Sequence, residues 1–179
     1  VEGSDRDRAI IDATLDRMHE KGTQAWTGYS FSWFGGVLAR AGRADEALQY
    51  LVDYERAFIL RNGFHVNGDQ INAGLSRFRY RPFTLEGNFL AMDAVHEVRL
   101  QGWGGRLRIF PAVSNKWADV SFENLRAQGG FRVSAQRQAG QTVRVTIKAT
   151  VDGTLRLKNP FGDHEFQANL PHEVGDDEL

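Results

Sequence analysis

Apolar positions recur at helical spacing through the N-terminal half of the chain and at strand spacing after it. Ser4 stands as an N-cap before acidic Asp5 and Asp7, and Ile11, Leu15 and Met18 follow with Ile10 alongside. That spacing predicts a first helix ended by Gly22. Phe31, Phe34, Val37 and Leu38 mark a second helix that stops at Gly42. Asp45 opens a third, with Leu48, Leu51 and Val52 on its buried side and Gly63 just past its end. A fourth pattern begins at about Phe89, continues through Met92, Val95 and His96, and closes at Gly102. Antiparallel helices with short links build helical bundles or α/α toroids.

After Gly102 the period becomes two. Leu107 and Ile109 alternate with Arg106 and Arg108, and Phe131, Val133 and Ala135 alternate with polar residues. Val143, Val145 and Ile147 do the same, as do Phe166, Ala168 and Leu170. Asp152-Gly153 is a hairpin signal, and Ala139-Gly140-Gln141 marks another turn. Strands with one apolar and one polar face predict an antiparallel β-sandwich. The fold class expected is therefore α+β, with a helical part over 1–102 and a β-sandwich over 103–179. Leu38 through Ala47 resembles a tetratricopeptide turn, but no second copy follows at a fixed period. The acidic end from Gly175 to Glu178 reads as a frayed terminus.

Periodicity vanishes from Phe64 to Thr84. His65, Asn67, Asp69, Gln70, Asn72 and Arg77 lie there among Phe64, Phe78 and Tyr80. Amides and a histidine among aromatics suit a sugar site, where ring faces meet the apolar side of a pyranose and polar groups take its hydroxyls. The same residues also suit a polar connection tacked to the core by its aromatics, and the two readings stand side by side. Trp26 either stacks on sugar or fills the helix interface. Trp33, within an apolar helical run, is expected at the interface. Pro82 holds Arg81 extended, and Gly87 permits a bend, so Glu86 falls where loop turns into helix. A carboxylate there can work chemically or can simply cap the helix amides.

Composition removes several classes. A net charge of −1 with acid and arginine intermixed gives no basic stripe of the kind a nucleic-acid binder shows. Cysteine is absent, which excludes disulfides, thiolate metal sites and a cysteine nucleophile. No apolar run is long enough for a membrane-spanning helix. His65, Asp69 and His96 are too scattered for a metal site, and His96 reads as a core histidine. No G-x-S-x-G elbow occurs. Gly102-Trp103-Gly104-Gly105 follows a helix and precedes a strand, the wrong order for a dinucleotide loop; it is expected to hinge the two halves. No cofactor is expected.

Four short blocks carry a family resemblance: Thr27 to Trp33, then Pro82-Phe83-Thr84-Leu85-Glu86-Gly87-Asn88-Phe89, then Leu107 to Ala112, then Leu125 to Val133. In that order and spacing they resemble the C-terminal part of glycoside hydrolase family 95, the inverting 1,2-α-L-fucosidases and related α-L-galactosidases. The resemblance implies the last helices of an (α/α)6 barrel followed by a β-domain. It implies that Glu86 belongs to the base machinery that activates water, with Asn88 lining the same site. It also implies a glycan substrate, an upstream part of the same parent protein, and an extracellular or periplasmic setting. Substrate contacts are expected from Asn88, His65, Asn67 and Trp26. The chain departs from the family pattern at two places: Glu86 stands where aspartate is usual, and Leu90-Ala91 replace small glycines. The family's general acid lies upstream of the matched region, and Val1 opens directly into a helical segment, so a fragment inactive on its own is expected. The alternatives are a carbohydrate-binding or scaffolding module that kept the fold without catalysis, and another (α/α)6 enzyme such as a disaccharide phosphorylase.

Overall fold

A computed structural model describes residues 3–162. The strand expected around Phe166, Ala168 and Leu170, and the acidic end from Gly175 to Glu178, lie outside the described residues. Within them the chain is α+β. Helices α1 (Asp5–Lys21), α2 (Gly28–Ala41), α3 (Ala44–Phe58) and α4 (Leu85–Arg99) precede strands β1 (Leu100–Gln101), β2 (Arg108–Ile109), β3 (Val120–Ala127), β4 (Phe131–Gln138) and β5 (Gln141–Ala149). Two compact units result, Val1–Arg99 with Pro111–Lys116 and Leu100–Phe110 with Trp117–Leu179.

In the first unit, Ser4 caps α1 through a reciprocal box. Its hydroxyl accepts from the Asp7 amide, and the Asp7 carboxylate accepts from the Ser4 amide. Gly42, with φ at 80°, ends α2 in the left-handed conformation that glycine tolerates best. Helix α2 packs against both α3 and α4. Its Phe31, Phe34 and Leu38 are buried, and Phe31 joins Tyr54, Ala57 and Phe58 of α3 in one core cluster.

Two helices differ from expectation in their boundaries. Helix α3 stops at Phe58 because Ile59 pairs with His65 in an antiparallel bridge and the Leu60 amide donates to the Phe64 carbonyl. Gly63, with φ at 81°, sits in the turn of that small hairpin rather than at the helix end. Helix α4 starts at Leu85, earlier than Phe89, and stops at Arg99, where β1 takes over.

The buried face of α4 also departs from the apolar pattern. Gly87, Ala94, Glu97 and Val98 are buried, whereas Phe89 and Met92 are 56% and 68% exposed. Small side chains let α4 approach α2 closely: a Cβ on Gly36 would lie 3.5 Å from that of Ala94. Hydropathy ranks Phe89 and Met92 as core residues, but the close helix contact selects the small positions. His96 is half-buried rather than enclosed, and Trp33 is 41% exposed, with its ring stacked on Phe34 instead of filling the interface.

The second unit holds two sheets among the described residues. Strands β1 and β2 pair antiparallel, with Leu100 opposite Ile109, around a short 3-10 turn over Trp103–Gly105. The glycine-rich run therefore closes a hairpin inside this unit. Arg108 breaks the expected alternation: it is buried, its guanidinium 3.9 Å from the Trp103 ring centroid, and it donates to the carbonyls of Trp103 and Arg106. Strands β3, β4 and β5 form an antiparallel meander with bulges in β3 and β5. Phe122, Phe131, Val133 and Ala135 lie buried on one side of it.

Ala139-Gly140 makes the β4–β5 turn as expected, but Asp152-Gly153 makes no hairpin. The segment after it pairs with Leu107 instead of β5. The Leu107 amide donates to the Arg156 carbonyl at 2.8 Å, and the Lys158 amide donates to the Leu107 carbonyl at 2.9 Å. A two-residue turn needs both flanking strands in register with each other. Here the second flank is engaged elsewhere.

Candidate functional site

The aperiodic stretch is an ordered loop built on two buried side chains. Asp69 is the first. Its carboxylate accepts from the amides of Ile71, Ala73 and Leu75 and pairs with Arg79 at 3.0 Å. Burial by itself raises its pKa, but the amides of Ala73, Leu75 and Ile71 and the Arg79 guanidinium outweigh that and hold it below the usual carboxylate value. Arg79 also reaches the Asp69 carbonyl and the Asn72 side chain. The loop is pinned to the connection between α1 and α2 by Ser76 Oγ donating to the Trp26 carbonyl at 2.6 Å and Thr23 Oγ1 donating to the Leu75 carbonyl at 2.6 Å.

His65 is the second. It is fully buried and stacked on Tyr54, with centroids 5.4 Å apart. Its Nδ1 lies 2.8 Å from the Thr84 carbonyl, which can only accept, so Nδ1 carries the proton and Nε2 is bare in the neutral ring. Burial lowers the His65 pKa, while the Thr84 carbonyl and the Glu86 carboxylate push it the other way. The ring is held between two glycines. A Cβ on Gly87 would come 2.6 Å from His65 Cγ, and a Cβ on Gly28 would collide with His65 Nε2 and with Phe58. Those contacts are closer than real Cβ atoms approach. The glycine of Glu-Gly-Asn is therefore required by the imidazole behind it.

Asn88 completes the clamp. Its Oδ1 accepts from the His65 amide at 2.9 Å, and its Nδ2 donates to the Gly63 carbonyl at 2.9 Å. Asn67 lies on the other side of His65. Its Oδ1 accepts from Thr84 Oγ1 at 3.2 Å, its amide donates to the Pro82 carbonyl, and its carbonyl accepts from the Gly28 amide. Three expected site residues, His65, Asn67 and Asn88, thus converge on the start of α4, and their polar groups engage the protein's own backbone and Thr84. Trp26 lies elsewhere, in the aromatic cluster of α2 and α3, edge-on to Phe34 and Phe31.

Glu86 occupies the first turn of α4, next to Gly87 and two residues after Thr84. It is exposed, and it makes no hydrogen bond or ion pair among the described residues. What the clamp does for it is mechanical: the helix start that carries Glu86 is tied to the chain behind it by the hydrogen bonds of His65 and Asn88. Stacked Phe64 and Phe83 (centroids 4.7 Å apart), with exposed Leu85 and Phe89, border the same region. Sequence reasoning missed Gly28, Thr84 and the organising role of Asp69. Only the run of turn residues Asn72-Ala73-Gly74 after Asp69 hinted at the last of these. No group of three or more metal-ligating side chains occurs among the described residues, and no described helix is long and apolar enough to cross a membrane.

Comparison with known proteins now bears on this geometry. Residues 101–174 match the model of the glycoside hydrolase family 95 C-terminal domain. The chain is also 27% identical over 145 residues to Alpha-L-fucosidase 2 of Arabidopsis thaliana. That alignment covers 80% of this chain, a stretch long enough to include Glu86, but only 16% of the relative. Glu86 and its clamp lie outside the family-model match. Residues 101–174 are thus similar to the glycoside hydrolase family 95 C-terminal domain, and most of the chain is similar to a part of a plant Alpha-L-fucosidase 2.

Proposed function

We propose that this chain is the C-terminal portion of a glycoside hydrolase that cleaves α-L-fucosides or α-L-galactosides with inversion, and that Glu86 is part of its base machinery. One observation carries the reading: an accessible carboxylate stands on a helix start that His65, Thr84 and Asn88 hold rigid from the protein side. An inverting base has to meet water and sugar while its backbone stays fixed. In this reading Glu86 draws a proton from the attacking water. His65, Asn67 and Asn88 act through the backbone that positions it, and Trp26 supports the loop. A general acid, roughly 6.5–9.5 Å from the base in such enzymes, comes from upstream polypeptide. The helices belong to the end of an (α/α)6 barrel and the strands to a β-sandwich.

Glu86→Gln in the longer parent protein tests this. Turnover of a 2'-fucosyl or α-L-galactosyl glycan should fall by about a thousandfold or more, with glycan binding kept. The 179-residue chain alone should release no sugar. Unchanged turnover in the variant overturns the assignment of Glu86. A second reading, a non-catalytic carbohydrate-binding or scaffolding module, is favoured by the open exposure of Glu86 and its lack of any hydrogen bond or ion pair among the described residues. It is the correct one if the unaltered parent binds glycan without cleaving it.

A further inference from the structure

We propose that the outward face of the β3–β4–β5 sheet binds an acidic oligosaccharide, whose anionic group meets Arg126, Arg132 and Lys148. The strand register sets these three cations abreast: Arg126 is opposite Arg132, and Arg132 is opposite Lys148. Directly opposed residues on one face have Cβ atoms about 5 Å apart, and like charges so placed destabilise a sheet. All three are exposed, and none is ion-paired among the described residues. A row that costs stability and is held in no ion pair among the described residues is complementary to an anion brought from outside.

The rest of the face indicates what carries the anion. One register step on, Ser134 lies opposite Thr146, and beyond them Gln136 lies opposite both Ser121 and Arg144. A depression of about 170 Å³ is lined by Ser121, Glu123, Ser134, Gln136 and Arg144, with Phe122 and Ala135 at its floor. A second depression shares Ser121 and Gln136 and runs toward Ala139. Hydroxyls, an amide and one charge of each sign form a hydrogen-bonding surface suited to sugar hydroxyls. Glu123 accepts from a hydroxyl and repels an anion, which directs the ligand's charge to the cation row instead. No aromatic residue stands at the outward registered positions, so nucleic-acid bases have nothing to stack on. Guanidinium forks bind carboxylate and sulfate alike, and these are the two chemistries to separate.

The test titrates the whole chain, at low salt, with an oligogalacturonate, a sulfated galactan oligomer and a neutral galactan oligomer of equal length. At least one acidic oligomer should bind, and whichever binds identifies carboxylate or sulfate. Arg126→Ser/Arg132→Ser/Lys148→Ser should weaken it by about tenfold or more, roughly 1.4 kcal/mol, with unchanged circular dichroism. Added salt should weaken it too. Failure of both acidic oligomers to bind overturns the proposal. So does equal binding of the neutral oligomer, undiminished binding by the triple variant, or tighter binding of a single-stranded DNA oligomer. Glu86→Gln should leave this binding unchanged, so the sheet face and the hydrolase reading stand or fall separately.

Discussion

His65 occupies the space that a side chain on Gly87 would need. The two residues are 22 positions apart in sequence, yet a Cβ at 87 would lie 2.6 Å from the imidazole Cγ. Gly28, on the first turn of α2, meets the other edge of the same ring. One imidazole therefore spaces the starts of two helices, and α4 is the helix that carries Glu86.

Gly87→Ala should destabilise the chain by about 1–3 kcal/mol, because the imidazole is enclosed and its hydrogen bonds to Thr84 cannot follow a shift. Gly36→Ala serves as the control. Its Cβ would meet that of Ala94 at 3.5 Å, an ordinary contact, and alanine favours a helix interior. Urea unfolding should separate the two variants, with a loss of stability at 87 and none at 36.

Burial holds the His65 pKa below its ordinary value of 6.5, with Thr84 and Glu86 opposing the shift. The unfolded chain therefore takes up this proton at higher pH than the folded one. The stabilisation from His65 is complete above about pH 6.5 and is lost as pH falls through its folded pKa. His65→Asn keeps a side-chain N–H for Thr84 but removes the titration. Between pH 7 and pH 5.5 the unfolding midpoint of the unaltered chain should drop more than that of the variant. Equal drops would exclude His65 as the source.

Asp69→Ala should cost about 3 kcal/mol, the scale of breaking a buried and hydrogen-bonded charge. It strips partners from three loop amides and from Arg79. Hydrogen exchange resolves the effect by position: the amides of Ile71, Ala73 and Leu75 should lose protection more than those of α2.

Glu86→Gln should change unfolding free energy by less than about 1 kcal/mol, the size of a helix-terminal charge effect. The residue is exposed and makes no hydrogen bond or ion pair among the described residues. A large loss of stability would show that the carboxylate serves the fold, and the turnover test would then lose its meaning.

Much of this was legible along the chain. Ser4 with Asp7, Gly22, Gly42 and the Ala139-Gly140 turn are local devices, and each acts in the structure as its residue type dictates. The period change after Gly102 foretold helices before strands. The four family blocks also pointed to the relatives found by comparison. These signals need only neighbours within a turn or two, which is why a sequence carries them.

Tertiary structure decided the rest. The buried side of α4 is Gly87, Ala94 and Val98 because helix proximity selects small side chains, whereas hydropathy alone ranks Phe89 and Met92 as core. Arg108 is buried because the Trp103 ring and two carbonyls receive its charge. Asp152-Gly153 fails as a hairpin because its second flank bonds to Leu107. Asn88, expected from the resemblance to line a sugar site, also has its carboxamide hydrogen-bonded to the backbone at His65 and Gly63. Each outcome depends on a partner distant in sequence, and periodicity carries no information about such partners.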